Sequence, residues 1–306
     1  MHPASQTSAP DRHSAPERHH APERHHAPAS EVECRDEELA VLNRRTDGIL
    51  ALMSDTANVI LQLAWPQIGY GVVESRVASG QVMRRPAKRA RTTLGYLGIA
   101  LYGSQEQIDT YRAAVNTAHR QVHSTAESPV RYNAFSRELQ LWVASCLFYG
   151  FWDGSTRMHG PMTADEEEVL LRAAAPLGTS LQVPRDAWHA SMADFWDYWE
   201  AGLRRADIDQ TVGAYFQDLL ALRMVPTPLR QILSPMHTWL NTGFLPEPIR
   251  RQLDLAWSEA DQRRHDRLLR GIGALNRRLP TALRRFPLNL MAQLTWARHR
   301  LGLPMV

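Results

Sequence analysis

The chain has 306 residues, 44% of them hydrophobic and 22% charged, enough for one large core or two modest ones. Thirty-five basic residues, all arginine but Lys88, face 32 acidic ones, for a net charge of +3 and a pI near 9.1. The arginines are interleaved with acids, which speaks against the one-sided basic footprint of a nucleic-acid binder. Two cysteines, Cys34 and Cys146, make neither a disulfide framework nor a zinc motif. No run reaches about 18 apolar residues, so no membrane span is expected. The N-terminus lacks the apolar core of a signal peptide, and the chain reads as cytoplasmic.

Residues 1–34 form a polar tail in which Ala15-Pro16-Glu17-Arg18-His19-His20 recurs as Ala21 to His26. Repeated prolines and the lack of apolar residues predict disorder there. A helical pattern fills 35–306, which reads as a single all-α domain. Pro86 suits the first turn of a helix over 87–101. Ser104-Gln105-Glu106-Gln107 is a capping box that opens a helix to about His123, with Ile108, Tyr111, Val115, Ala118 and Val122 as its apolar stripe. Ser136 begins a helix to about Phe148, apolar nearly all round and so expected at the centre. A second capping box at Thr163 opens a helix that Gly178 ends. Further helices are expected over 184–206, 208–222, 228–233, 248–256, 259–278 and 287–301.

Three residue groups bear on chemistry. His119 lies four residues after Val115 and three before Val122, so it shares or borders their apolar face. A neutral imidazole there is a good iron ligand, and one histidine suffices to hold a haem; the competing reading is a core histidine bonded to a backbone carbonyl. His123, one turn on, would make an i, i+4 metal pair with His119, though no glutamate accompanies them as in His-Glu-x-x-His. Arg89 and Thr93 share one helix face. An arginine keeps its charge when buried and can clamp a carboxylate or reduced oxygen, and a threonine hydroxyl can bond a distal ligand; the competing reading is a surface arginine beside a helix-interior threonine. Glu74 follows the apolar stretch 68–73, which predicts a desolvated carboxyl with a raised pKa, suited to a general base; the competing reading is a helix-end carboxylate paired with Arg76. The aromatic segment 188–199 reads as core that could line an apolar pocket.

Glu-x-x-His occurs only in the tail, so the domain lacks the di-iron bundle signature. Gly-x-Gly-x-x-Gly, P-loop, Gly-x-Ser-x-Gly and Cys-x-x-Cys motifs are missing, which leaves nucleotide-dependent and triad-hydrolase readings without support.

Short motifs in a fixed order carry a resemblance. Leu61-Gln62-Leu63-Ala64-Trp65-Pro66 is followed by Arg89-x-x-x-Thr93-Leu94 and Ala100-Leu101-Tyr102-Gly103. His119-x-x-Val122, Tyr132-x-Ala134 and Leu141-Trp142-Val143 come next, then Gly243-Phe244-Leu245-Pro246 with Ile249-Arg250, and Leu279-Pro280 with Phe286-Pro287. In this the chain resembles the MpaB-like oxygenases and the catalytic domain of latex-clearing rubber oxygenases. The resemblance implies an all-α domain with a partly globin-like core and a haem b cofactor. It implies His119 as the iron ligand, with Arg89 and Thr93 near the haem. The chain departs from the family at Glu74-Ser75, often His-Ser, and at Trp142 to Cys146, often Trp-Val-His-Ala-Thr; the family's lysine beside the threonine is Thr92 here.

The expected function is therefore an oxidoreductase: a haem-dependent oxygenase or oxidase that activates dioxygen to oxidise an apolar small molecule, with cleavage of a carbon–carbon double bond as the family's reaction and secondary metabolism as a setting. His119 would hold iron, Arg89 and Thr93 would bind near the haem and act on oxygen, and Glu74 would serve as a base. The expected partners are a hydrophobic substrate, dioxygen and an electron donor, with no nucleic acid. The alternatives are a non-catalytic haem or lipid carrier and a haem enzyme of peroxidase or rearrangement type.

Overall fold

The computed structural model describes residues 29–75 and 82–306, with side chains from Arg35 onward. The tail repeats and Arg76 lie outside the described residues. The described chain is all-α, with one isolated bridge, His123 to Asn133, and no named strand. In order come α1 (Ala29–Arg45), α2 (Leu50–Met53), α3 (Asp55–Leu63), α4 (Pro66–Val73), α5 (Pro86–Tyr102), α6 (Gln105–His119), α7 (Arg137–His159) and α8 (Ala164–Ala173). There follow α9 (Pro176–Thr179), a 3-10 turn at Arg185–Ala187, α10 (Met192–Arg204), α11 (Gln210–Leu220), α12 (Thr227–Phe244), α13 (Glu247–Gln252), α14 (Glu259–Asn276), α15 (Thr281–Arg284) and α16 (Leu288–Arg300). No described helix is long and apolar enough to cross a membrane.

Local chemistry sets most helix starts. The Ser104 box is formed in both directions: the hydroxyl accepts from Gln107 N, and the Gln107 side chain accepts from Ser104 N. Ser136 and Thr163 accept from the amides of Leu139 and Glu166. Helix ends differ more from expectation. Helix α6 stops at His119, and α7 runs on to His159. Pro176 splits the segment after Thr163 into α8 and α9, because a proline supplies no amide to continue the ladder. Helix α12 continues through Pro235 to Phe244, since packing against α3, α11 and α14 offsets the missing hydrogen bond.

Helix α7 is the axis of the core. Trp142 and Phe148 are fully enclosed. Trp142 stacks on Trp65 of the α3–α4 junction (4.7 Å, 7° between planes) and on Trp199 of α10 (5.2 Å, 21°). Its ring reaches α10 because Gly202 has no side chain; a Cβ there would lie 2.1 Å from the indole. Burying each such aromatic contributes about 1.5–3 kcal/mol. The aromatic segment 188–199 therefore serves the core: Trp188, Phe195 and Trp199 are buried, and Phe195 sits edge-on to Phe148 at 4.7 Å. Cys146 is a free thiol inside this core, and burial pushes its pKa well up.

On the other side α16 lies across α5. Gly95 and Gly98 allow the approach, since a Cβ at Gly98 would lie 2.3 Å from the Leu288 carbonyl oxygen. This contact fixes α5 from behind, so its opposite face is free to form one wall of a cavity.

Candidate functional site

A cavity of about 290 Å³ opens between α3–α4, α5, α6, the start of α7 and the 122–134 loop. Its lining is mostly apolar, with Leu63, Ile68, Val72, Val115, Ala118, Val143 and Leu147 among its walls. Arg89, Thr93 and Tyr96 recur at i, i+4 and i+7 on α5, so one face presents all three to the cavity. Across from them α6 contributes Tyr111, Val115, Ala118 and His119, the stripe expected from its periodicity. The Tyr111 hydroxyl donates to the Thr92 carbonyl at 2.8 Å and ties the two helices together. The Tyr96 hydroxyl donates to the Leu177 carbonyl at 2.5 Å, and burial pushes its pKa up to about 12.

Arg89 and His119 are the informative pair. Among the described residues no carboxylate forms an ion pair with the Arg89 guanidinium. Burial lowers its pKa, with the Tyr215 and Tyr111 phenols acting the other way. A guanidinium stays charged even so, and the result is a desolvated cation in an apolar wall. His119 is partly buried at the last position of α6. Its Nδ1 is buried and has no hydrogen-bond partner. Burial first, and the Arg89 charge second, lower its pKa, so the ring is neutral at pH 7 and keeps a lone pair. Phe135 stands edge-on to the ring at 6.2 Å.

Thr92 and Thr93 divide their roles. The Thr92 hydroxyl is spent on the Arg89 carbonyl at 3.0 Å and is buried. Thr93, one residue on, lines the cavity.

Glu74 departs from expectation. It is exposed at the C-cap of α4, outside the cavity, and not in a desolvated setting. The reason is that the apolar run ends with the helix at Val73, and the next side chain turns to the 124–132 loop. There its carboxylate accepts from the Ser128 hydroxyl at 2.7 Å and the Tyr132 hydroxyl at 2.8 Å. It reaches the cavity lining through Tyr132, whose ring packs over Gly71 in the wall. His123 is exposed beyond the end of α6, so it forms no i, i+4 pair with His119. Among the described residues no three His, Cys, Asp or Glu side chains converge to hold a bare ion.

The structure adds an amide network that no motif announced. Gln140 donates to the Ala134 carbonyl at 2.6 Å and to Gln182, and Gln182 donates in turn to Asn116. It closes the cavity wall where α6, α7 and the 181–183 turn meet. Its members are far apart in sequence and share no period, so no local signal identifies them.

The two ends of the site also explain why the scattered motifs keep their order. Gln62 and Leu63 line the cavity while Trp65, next to them, anchors the core by donating to the Gly202 carbonyl at 2.8 Å. Tyr132 and Ala134 line it from the loop, and Trp142-Val143 spans core and wall.

The chain is similar to proteins of one described family. Residues 44–274 match the family described as "ER-bound oxygenase mpaB/B'/Rubber oxygenase, catalytic domain". The uncharacterized protein Rv2237 of Mycobacterium tuberculosis is 42% identical over 229 residues, which cover 75% of this chain and 90% of that protein. The uncharacterized protein Mb2261 of Mycobacterium bovis matches to the same extent. No solved structure matches the chain significantly. With three quarters of its length matched and its wall residues converging on one cavity, the chain belongs to the mpaB/rubber-oxygenase catalytic-domain family.

Proposed function

We propose that this protein is a haem b-dependent oxygenase or oxidase that uses dioxygen to oxidise an apolar small molecule, with cleavage of a carbon–carbon double bond as the reaction type its family relationship suggests. The observation that carries the reading is the meeting, in the wall of one apolar cavity, of His119, with a buried nitrogen free of hydrogen bonds, and Arg89, which has no carboxylate partner among the described residues.

These residues fit a haem. A porphyrin brings four nitrogens of its own, so a single neutral imidazole would hold it, without the multi-residue metal cluster that is absent among the described residues. Its macrocycle is apolar, as are most of the walls. When bound, haem supplies the iron at which dioxygen is activated by one-electron chemistry.

The chain's own residues then have distinct tasks. His119 would ligate through a ring nitrogen, and burial, by lowering its pKa, favours the neutral ring that a ligand needs. Arg89 would offer fixed positive charge where negative charge develops on oxygen, strengthened by its own burial. Thr93 donates a hydrogen bond from the next turn. Val115, Val143 and Leu147 hold the apolar substrate. Glu74, through its hydrogen bond to Tyr132, positions the cavity rim and is not placed to take a proton from substrate. An electron donor completes the set of partners.

The test is the visible spectrum of protein purified from haem-replete cells, before and after dithionite and carbon monoxide. The wild type should show a Soret band that His119→Ala abolishes while helical circular dichroism is retained. A colourless wild type, or an unchanged Soret band in His119→Ala, refutes the assignment. Arg89→Ala separates an oxygenase from a carrier: it should keep haem and lose turnover, measured as incorporation of labelled dioxygen.

A further inference from the structure

Fifteen large hydrophobic side chains are exposed among the described residues, and all but Leu52 and Phe135 fall in two stretches, 219–246 and 267–306. Neither stretch contains an aspartate or a glutamate, and together they hold ten arginines. The interleaving of opposite charges that marks the rest of the chain stops at Asp266. Since the whole chain is only +3, the remainder carries an excess of acid.

The exposed side chains are ordered. On the first half of α12, Leu229, Ile232, Leu233 and Met236 recur at i, i+3, i+4 and i+7, so they form one stripe, with Ile232 74% and Met236 61% exposed. On α16 Leu290 and Leu294 are one turn apart and exposed, while Leu288 and Thr295 face α5. Helix α14, against which α12 packs, exposes Leu268 and Leu275 seven residues apart. Some arginines of these stretches are used internally: Arg284 pairs with Asp47, Arg285 bonds Asn43 and Arg277 bonds the Met158 carbonyl. Arg267, Arg270, Arg278 and Arg300 are exposed and form no ion pair among the described residues.

We propose that the outer surface of the packed α12–α14 pair, with its exposed leucines and unpaired arginines, docks the protein peripherally on an anionic lipid bilayer. Exposed leucines supply the shallow apolar insertion and unpaired arginines the attraction to anionic headgroups, the two contributions such binding needs. The alternatives fit less well. A second copy meeting this face symmetrically sets arginine against arginine. A nucleic acid satisfies the arginines but leaves the leucines in water. None of the exposed side chains named here lines the cavity, so the proposal is independent of the haem reading.

The full chain should be sedimented with large unilamellar vesicles of phosphatidylcholine alone, or with phosphatidylglycerol in about equal parts, at about 50 and about 500 mM salt. Binding should require phosphatidylglycerol and weaken at high salt. Arg267→Gln with Arg278→Gln should lower the partition coefficient about twenty-five-fold, at about fivefold for each charge removed. Ile232→Ser with Met236→Ser should lower it as well. Both pairs lie on the exposed surface, and circular dichroism melts confirm that each variant is folded. Equal binding to both vesicle types, or no effect of either pair, overturns the proposal. So does a dimer in sedimentation velocity that the Ile232/Met236 pair dissolves, or retention on random-sequence DNA without vesicle binding.

Discussion

An arginine and a histidine meet in two regions of this molecule, with opposite electrostatics. Where α1, α7 and α15 come together, Asp47 is completely buried between His159 (2.5 Å) and Arg284 (2.8 Å), and Arg277 lies 3.2 Å from the other His159 nitrogen. Burial raises the Asp47 pKa, but the His159 hydrogen bond and the Arg284 and His159 charges outweigh it, and the net shift is downward. In the cavity wall, Arg89 and His119 have no such carboxylate among the described residues. In the first region a buried carboxylate answers the arginine and pins the start of the domain to its end. The second is left one anion short, which is what a ligand-binding wall needs and a structural one avoids.

The largest expected effect breaks the balanced region. Asp47→Ala leaves a cation and a histidine without their buried counter-charge and should cost about 3–5 kcal/mol in denaturant unfolding. Arg89→Met should do the reverse: stability within about 1 kcal/mol of wild type, because no partner is orphaned, and turnover down about a hundredfold. Equal stability losses for the two variants would erase the contrast.

Acid sharpens it next. His119 has a lowered pKa in the fold, and burial brings His189 and His265 to about 4, against an ordinary 6.5. Groups depressed in this way contribute stability that is complete above pH 6.5 and is lost as pH falls toward 4. The slope is about 1.4 kcal/mol per pH unit for each proton taken up. Asp47 contributes stability that is complete above the ordinary carboxylate value of 3.8 and is lost as pH falls below it. Denaturant titrations at pH 7, 6 and 5 should therefore show loss, and His119→Gln should reduce the slope. The smallest effect is at the rim: Tyr132→Phe removes the bond to Glu74, should cost about 0.5 kcal/mol in thermal unfolding, and should speed ligand release.

Much of the fold follows from local sequence. Ser104, Ser136 and Thr163 mark helix starts because a cap is a contact within four residues, and the Val115–Ala118 spacing identifies the wall-facing side of α6 for the same reason. Helix ends are less legible. The α6 pattern continues to Val122 though the helix stops at His119, because Val122 reaches the same cavity from the loop. Pro235 marks a stop that packing overrides.

What the sequence by itself determined is the helical register, the caps, and the presence of one arginine–threonine pair and one histidine on apolar faces, since each depends on neighbours one turn away. Only the tertiary structure decided that those faces share a cavity, that Glu74 stays in solvent, and that Arg89 lacks, among the described residues, the carboxylate Arg284 has. Those facts depend on which distant helices cross, and the crossing of α5 by α16 is fixed by two glycines and by core packing, over separations that no periodicity spans.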